Sequence, residues 1–148
     1  MITIDNVEFF TLRNFHEDRG NLVPIEENGD VPFSIKRLFY VYGSPVDVIR
    51  GQHAHKITDQ VLIAISGKCI VTAKDSKNAV EHILDKPYQA VHIPAGIWGE
   101  QQYCSEDTVL LVLCNTSFDK DDYIWDFDEY LQWYYGDNMN RSPAGDKN

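Results

Sequence analysis

The chain has 148 residues, of which 43% are hydrophobic and 24% charged, and its formal net charge is −10. This length is sufficient for one domain with a buried core, which we place at residues 1–135. The acidic charge argues against general binding of nucleic acid, which requires a basic face, although a local group of Arg and Lys could bind a small anion. No cationic leader or run of ~20 apolar residues is present, so we expect a cytoplasmic protein without a membrane segment.

Most of the chain predicts short β-strands. Runs rich in Ile, Val, Leu, Phe and Tyr alternate with turn residues such as Gly43-Ser44-Pro45 and Ser66-Gly67. The predicted strands are residues 2–12 with an interruption near Asp5, 21–26, 33–42, the segment containing His53, 60–65, 68–74, 79–84, 90–93, 99–103 and 108–115. Short strands at near-regular spacing without intervening helices indicate an antiparallel sandwich or barrel. We therefore predict an all-β fold.

The end of the chain departs from this pattern. The acidic run 119–122 is typical of a helix start, where carboxylates complement the helix dipole, and the remaining acids would face solvent. A helical stripe of aromatic residues follows, at Tyr123, Phe127, Tyr130 and Tyr134. We expect this helix to pack on the sheet. Residues 136–148 have too little apolar content to fold alone, which predicts a disordered tail.

The two histidines His53 and His55 are the first candidate for a functional site. They are two residues apart on a predicted strand, so both imidazoles lie on one face, with Arg50 and Lys56 close in sequence. Groups that titrate near neutrality beside cations suit an anionic substrate. A metal site, a proton-transfer site and a merely polar interior all remain open at this point.

The pattern of His-x-His, a glycine turn and a later Pro-x-Gly resembles the cupin barrels. In metal-binding cupins, a Glu five residues after the second histidine and a His three residues after the Pro-x-Gly glycine complete the ligand set. This chain has Gln60 and Gly99 at those positions. Because catalytic metal sites normally have three good protein ligands, we expect no metal and interpret the imidazoles as proton carriers. His92, in an apolar strand, is interpreted as structural.

Five ordered blocks resemble a narrower cupin family, the sugar 3,4-ketoisomerases that act on dTDP-4-keto-6-deoxyglucose. The blocks are Asp18-Arg19-Gly20-Asn21-Leu22, Ile35-Lys36-Arg37-Leu38-Phe39-Tyr40, Arg50-Gly51-Gln52-His53-Ala54-His55-Lys56, Ile93-Pro94-Ala95-Gly96-Ile97-Trp98 and Asp121-Asp122-Tyr123-Ile124. The resemblance implies an RmlC-like jelly roll with a short C-terminal helix, and an isomerase that moves a ketone from C4 to C3 without a cofactor. It also implies a role in the biosynthesis of an unusual deoxysugar for a surface glycan, such as lipopolysaccharide O-antigen or an S-layer glycan.

The resemblance assigns roles to individual residues. His53 would be the base for the C3 proton, and His55 would shuttle protons between the sugar oxygens or assist at C4. Arg19, which would reach the nucleotide sugar, and Tyr40 complete the expected catalytic set, with Tyr42 as an alternative to Tyr40 on the same strand face. The expected substrate-binding residues are Arg50 and Lys56 at the diphosphate, Gln60, and Trp98.

Two alternatives to the isomerase remain, a related dTDP-sugar epimerase and a non-catalytic nucleotide-sugar-binding cupin. The resemblance further implies a homodimer, which could form by exchange of N-terminal strands within residues 2–12.

Overall fold

The computed structural model describes residues 1–136, which form β-strands followed by one α-helix. The elements are β1 (Glu8–Thr11), β2 (Phe15–Glu17), β3 (Gly20–Leu22), β4 (Arg37–Val41), β5 (Ile49–His55), β6 (Gln60–Ser66), β7 (Cys69–Lys74), β8 (Ala79–Leu84), β9 (Gln89–Ile93), β10 (Trp98–Tyr103), β11 (Val109–Cys114), β12 (Tyr123–Ile124) and α1 (Phe127–Gly136). The predicted all-β fold with a C-terminal helix is confirmed. Within these residues, no helix has the length and apolar content needed to cross a membrane.

Two five-stranded antiparallel sheets face each other. Their strand orders are β1-β9-β6-β11-β4 and β12-β5-β10-β7-β8, while β2 and β3 form a separate hairpin. The side chains between the sheets form an apolar core to which both sheets contribute, as in a jelly roll. This inner core includes Leu62, Val112, Val71, Tyr103 and Cys69. We call the sheet surfaces that enclose it the concave faces.

The outer faces of the two sheets are covered differently. Residues from the segment between β3 and β4, including Val31 and Phe33, pack on the first sheet against Val61 and Ile63. Helix α1 covers part of the second sheet and buries Tyr130 and Tyr134. The prediction that the aromatic stripe packs on the sheet is therefore confirmed for the residues that lie in α1.

The predicted start of the helix is wrong. Residues Lys120–Asp122 form a single 3-10 turn, and Tyr123–Ile124 is a short strand that pairs with the end of β5. The helix begins only at Phe127, so Tyr123 is not part of the helical stripe. Asp122 is buried rather than solvated, because its carboxylate accepts hydrogen bonds from the β5–β6 connection. Apart from Gly136, the predicted tail lies outside the described residues.

A buried polar pair fixes the turn at Pro94–Gly96. The Nε2 atom of His92 lies 3.0 Å from Oδ2 of Asp59, and Oδ1 of Asp59 accepts a hydrogen bond from the backbone N–H of Ala95 at 2.9 Å. The backbone N–H of Gly96 donates to the carbonyl of His55 at 2.7 Å. His92 is thus the structural histidine that its sequence context predicted, and the turn is tied to the strand that carries the histidine pair.

Candidate active site

A β-bulge in β5 determines which side chains enter the concave face. His53 pairs with Gly99 on β10, but the next partners are Gly51 and Glu100, so Gln52 is the extra residue. Gly51 and Gln52 adopt left-handed φ angles of 81° and 53°. A bulge shifts the alternation of side chains by one, which places Arg50 on the same concave face as His53.

The two histidines contact each other edge to face. Their ring centroids are 4.9 Å apart at 81°, and the two Nε2 atoms are 3.2 Å apart. This separation requires one Nε2 to carry a proton and the other to accept it, so the pair shares a proton between the rings. The Nδ1 atom of His53 is buried and has no hydrogen-bond partner among the described residues.

Asp122 anchors the pair from the 3-10 turn that directly precedes the edge strand β12. Its Oδ2 lies 2.7 Å from Nδ1 of His55 and also accepts from the hydroxyl of Thr58, while Oδ1 accepts from the backbone N–H of Ile57 at 2.6 Å. Burial raises the pKa of this carboxyl, but the hydrogen bonds from His55, Thr58 and Ile57 outweigh it, and the net pKa falls to about 2. An ionised carboxylate therefore fixes the Nδ1–H tautomer of His55 and turns Nε2 toward His53.

The sequence prediction missed this role of Asp122. The residue stands in one of the blocks that carry the family resemblance, yet the acidic run around it was interpreted as a helix cap with a solvated face. The available signal was that Asp122 directly precedes an aromatic and a β-branched residue, a combination that also fits an edge strand.

His53 lies in a more apolar environment than His55. Burial lowers the pKa of His53 to about 4. The backbone of Gly51 and the charge of Asp122 oppose this shift, whereas the neighbouring His55 adds to it. The rings of Tyr123 and Trp125 lie 5.1 Å and 4.8 Å from the His53 ring. His53 is therefore neutral at pH 7. Because His55 carries its proton on Nδ1, Nε2 of His53 is the donor between the two rings, and the free lone pair of His53, which a general base requires, is on Nδ1.

A pocket beside the histidines extends into the sandwich. Its walls are formed by His53, His55, Thr58, Gln60, Ile93, Pro94, Ile97, Gly99 and Gln101. Gln60 is buried, and its amide lies 3.6 Å from the sulfur of Cys114. A Cβ at Gly99 would meet only ordinary contacts, with Cδ1 of Ile93 at 3.4 Å, so the glycine widens this pocket without being required by the packing.

Among residues 1–136, no three His, Cys, Asp or Glu side chains are arranged to bind a metal ion.

Arg37 is a second residue that the sequence prediction did not single out. It pairs with Cys114 on β11, which also pairs with Gln60, so these side chains form a row on the concave face. The guanidinium lies over the rings of Phe118 and Phe39, at 5.5 Å and 5.9 Å. Its Nε and Nη2 atoms are buried and have no hydrogen-bond partner within residues 1–136.

The predicted tyrosines lie on the other side of the sheet. Tyr40 is opposite Leu111, which packs in the outer cluster, whereas Phe39 is opposite Val112 of the inner core. Tyr40 and Tyr42 are both exposed, with rings 6.2 Å apart. Within one chain neither tyrosine reaches the histidines, because strand alternation directs Phe39 inward instead.

Three other predicted residues also lie away from the pocket. Trp98 is buried beneath α1 against Phe127 and Tyr130, so it belongs to the core and does not line the site. Arg19 lies at the tip of the β2–β3 hairpin with 88% of its side chain exposed. Lys56 follows the last residue of β5, where its backbone N–H donates to the carbonyl of Asp122. Of the predicted set, the structure brings together His53, His55 and Gln60 in one pocket, and Arg50 lies on the same face of β5 as His53.

The chain is similar to proteins of known family and structure. A family model described as "WxcM-like, C-terminal" (FdtA) matches residues 5–134. The chain belongs to this family. The family resemblance inferred from the five sequence blocks is thereby confirmed.

Proteins similar to this chain include sugar 3,4-ketoisomerases. The chain is 36% identical over 125 residues to a TDP-4-oxo-6-deoxy-α-D-glucose-3,4-oxoisomerase from Aneurinibacillus thermoaerophilus, covering 84% of this chain and 90% of the relative. A solved 3,4-ketoisomerase from Helicobacter canadensis superimposes with a TM-score of 0.84 at 33% identity, over 87% of this chain and 97% of that one. The WlaRB TDP-quinovose 3,4-ketoisomerase from Campylobacter jejuni gives a TM-score of 0.83 at 37% identity, over 87% and 99% of the two chains.

A more distant neighbour shows the extent of the shared fold. The dTDP-4-dehydrorhamnose 3,5-epimerase of Bacillus anthracis has a TM-score of 0.73 at 15% identity, over 83% of this chain and 79% of that one. At this identity the likeness concerns the fold alone, and it confirms the RmlC-like jelly roll predicted from the sequence.

Proposed function

We propose that this protein is a dTDP-sugar 3,4-ketoisomerase that converts dTDP-4-keto-6-deoxyglucose into the corresponding 3-keto sugar. The observation that carries the proposal is the linear arrangement Asp122–His55–His53, with contacts of 2.7 Å and 3.2 Å between successive groups. A neutral imidazole next to a second imidazole held by a carboxylate can take a proton and return it at another position. The family membership of the chain and its similarity to a 3,4-oxoisomerase support the same reaction.

The reaction requires two proton movements. His53 removes the proton on C3, which the adjacent C4 carbonyl acidifies, and the electron pair moves to O4 to give an enediolate. The proton of the C3 hydroxyl then moves to O4 by way of His55, and the protonated His53 returns its proton to C4 as the C3 carbonyl forms. No electron acceptor is required, because the oxidation at C3 is balanced by the reduction at C4.

The ionised Asp122 makes His55 suitable for the transient positive charge. A proton that reaches Nε2 of His55 creates an imidazolium whose Nδ1–H points at the buried carboxylate of Asp122. Because such a charge-assisted hydrogen bond is stronger than a neutral one, it stabilises the imidazolium form of His55. The pair thus combines a base at His53 with a second imidazole whose positive charge Asp122 balances.

Two arginines on the concave face are suited to the negative charges of the substrate. The unpartnered N–H groups of Arg37 can donate to an anionic oxygen, and Arg50 shares the face of His53 through the bulge. A planar guanidinium binds phosphate oxygens in pairs, so we assign the diphosphate to Arg50, as inferred from the sequence, with Arg37 as a further donor.

We also propose that the active form is a homodimer of single-domain subunits, each formed by residues 1–135. Every residue of the β2–β3 hairpin is exposed, including Phe15 and Leu22, and the two strands pair only with each other in the described part of the chain. An isolated two-stranded hairpin has little stability of its own. A second copy that covers the hairpin would stabilise it and bring Arg19 to the partner's nucleotide sugar.

We further propose, from the family resemblance, that the protein acts in the cytoplasm, in the synthesis of a nucleotide-activated deoxysugar for a surface glycan such as an O-antigen or an S-layer glycan.

The direct test is to incubate the protein with dTDP-4-keto-6-deoxyglucose and follow the carbon skeleton by NMR. A carbonyl signal that moves from C4 to C3 is the expected result. Deuterium uptake at C3 and C5 without migration of the carbonyl would identify an epimerase instead. Tight binding of the nucleotide sugar without any exchange would identify a non-catalytic binding protein.

The dimer has its own test, in which two inactive variants are mixed. His53→Asn removes the base, and Arg19→Ala removes the hairpin arginine from the partner's site. In a mixed dimer in which each hairpin reaches the partner's site, one of the two sites has both residues intact, so activity returns to a fraction of the wild-type value. Absence of recovery in dimers shown by mass spectrometry to be mixed would contradict the contribution of Arg19 to the partner's site.

A further inference from the structure

Trp125 lies beside His53 because of the register of a very short strand. Tyr123 pairs with His55 and Ile124 pairs with Ala54, so the next residue, Trp125, follows on the side of His53. Side chains alternate along the strand, so Tyr123 and Trp125 share the concave face of the histidines, while Ile124 packs under α1. The position of Trp125 is thus defined by backbone pairing at the site itself.

The indole is held in one orientation and still open to solvent. It stacks on Tyr123 with ring centroids 5.1 Å apart and planes within 7°, and its centroid lies 4.8 Å from the His53 ring. Yet 64% of Trp125 is exposed. Single exposed aromatics are common, and exposure alone says nothing about binding. An indole that is fixed on one side, open on the other and in contact with the proposed base is a preformed binding surface.

The part of the substrate that meets this surface follows from the reaction. If His53 takes the C3 proton, the hexose lies against the His53 ring, and the diphosphate and deoxyribose separate the thymine from this position. The face of an aromatic ring carries a partial negative charge and attracts the slightly positive C–H groups of a sugar ring. The C–H face of the sugar also prefers an apolar surface.

We propose that Trp125 is a specificity-determining residue that binds the hexose ring through its C–H face and holds C3 against His53. This inference rests on the proposed function, because it assumes that the sugar is placed by its reaction at His53. It assigns to Trp125 affinity for the hexose and none for the nucleotide.

The test compares two unreactive ligands, dTDP and dTDP-6-deoxyglucose, by calorimetry with wild type, Trp125→Ala and Trp125→Phe. We expect Trp125→Ala to weaken binding of dTDP-6-deoxyglucose about 10-fold and to leave dTDP binding within twofold, which corresponds to the loss of one aromatic stacking contact. Trp125→Phe retains an aromatic face and should recover most of the affinity. Tyr135→Ala, which removes an exposed aromatic ring from α1, should change neither affinity.

Each other outcome overturns the inference. Equal weakening of both ligands by Trp125→Ala would assign the indole to the nucleotide, and unchanged binding of both would leave it outside the binding surface. Turnover of dTDP-4-keto-6-deoxyglucose by the same wild-type preparation separates this test from that of the proposed function. If wild type turns over the substrate but Trp125→Ala binds dTDP-6-deoxyglucose normally, only the role of Trp125 is contradicted. If Trp125→Ala selectively loses binding of dTDP-6-deoxyglucose but wild type shows no turnover, only the isomerase function is contradicted. Because Trp125→Phe keeps the stacking on Tyr123, its behaviour also controls for misfolding of the alanine variant.

Discussion

His55 and Asp122 are 67 residues apart in the chain and form a buried pair in which Nδ1 of the histidine lies 2.7 Å from Oδ2 of the carboxylate. Because the same carboxylate also accepts from Thr58 and from the backbone of Ile57, it is held in place by three donors. The orientation of His55, and through it the contact with His53, depends on this one side chain.

Asp122→Asn should reduce kcat by about 10²-fold, because a neutral amide can turn either its oxygen or its NH2 group toward Nδ1 of His55 and cannot balance an imidazolium charge. Steady-state kinetics would measure the loss. Asp121→Asn is the matched control, since Asp121 is its exposed neighbour in the same turn and should keep wild-type activity. Similar kinetics for the two variants would contradict the role of Asp122.

The same carboxylate should make stability depend on pH. Its pKa in the folded protein is lowered to about 2 from an ordinary value of 3.8, so the ionised form stabilises the fold above about pH 4. This contribution, on the order of 2 kcal/mol, is lost as the pH falls from about 4 toward 2. Urea unfolding of wild type and Asp122→Asn across this range should show a difference in unfolding free energy that shrinks with acidification. A constant difference would contradict the assigned pKa.

His53 should titrate well below an ordinary histidine. Burial lowers its pKa to about 4 from 6.5, so the folded state binds fewer protons than the unfolded state between these values. The stability contribution of the neutral ring is therefore complete above about pH 6.5 and is lost as the pH falls through 4. NMR titration of the His53 imidazole should give a midpoint near 4, and the acid limb of kcat/KM should lie below pH 6. A midpoint near 6.5 would contradict the desolvated environment.

The bulge in β5 should be sensitive to Gly51→Ala. Gly51 has a φ of 81°, and a Cβ there would lie 2.6 Å from Oε1 of Gln101 in the pocket wall. Gly43→Ala is a matched control, because Gly43 has a φ of 72° but no neighbouring atom within 4 Å of the added carbon. Both variants should lose about 1–2 kcal/mol from the left-handed backbone. Only Gly51→Ala should also lower kcat/KM, about 10-fold, by displacing Gln101 and the adjacent bulge. Equal activity of the two would show that the bulge does not position the site.

Features that depend on local periodicity could be predicted from the sequence. The shared face of His53 and His55 follows from strand alternation, and the alternation of apolar runs with turn residues gave most of the strands. Alternation does not tell which of the two faces points inward. The family resemblance selected Tyr40, whereas the structure directs Phe39 to the concave face.

Features that depend on distant pairings could not be predicted in this way. The partnership of His55 with Asp122 exists only because Tyr123–Ile124 adds to the edge of β5, and an acidic run followed by aromatic residues fits a helix start equally well. The inward position of Arg50 depends on one extra residue in the strand. Without that residue, simple alternation would place Arg50 on the face opposite His53. Trp98 follows the turn next to the site but is directed beneath a helix that packs from the far end of the chain.

The measurement that tests the account most directly is exchange of the C3 proton of dTDP-4-keto-6-deoxyglucose in D2O with wild type and His53→Asn. Wild type should replace this proton with deuterium and move the carbonyl to C3. His53→Asn should leave the C3 signal unchanged while it keeps its fold, shown by circular dichroism, and binds dTDP within a few-fold of wild type. Exchange at C3 at the wild-type rate in the His53→Asn variant would contradict the assignment of His53 as the base.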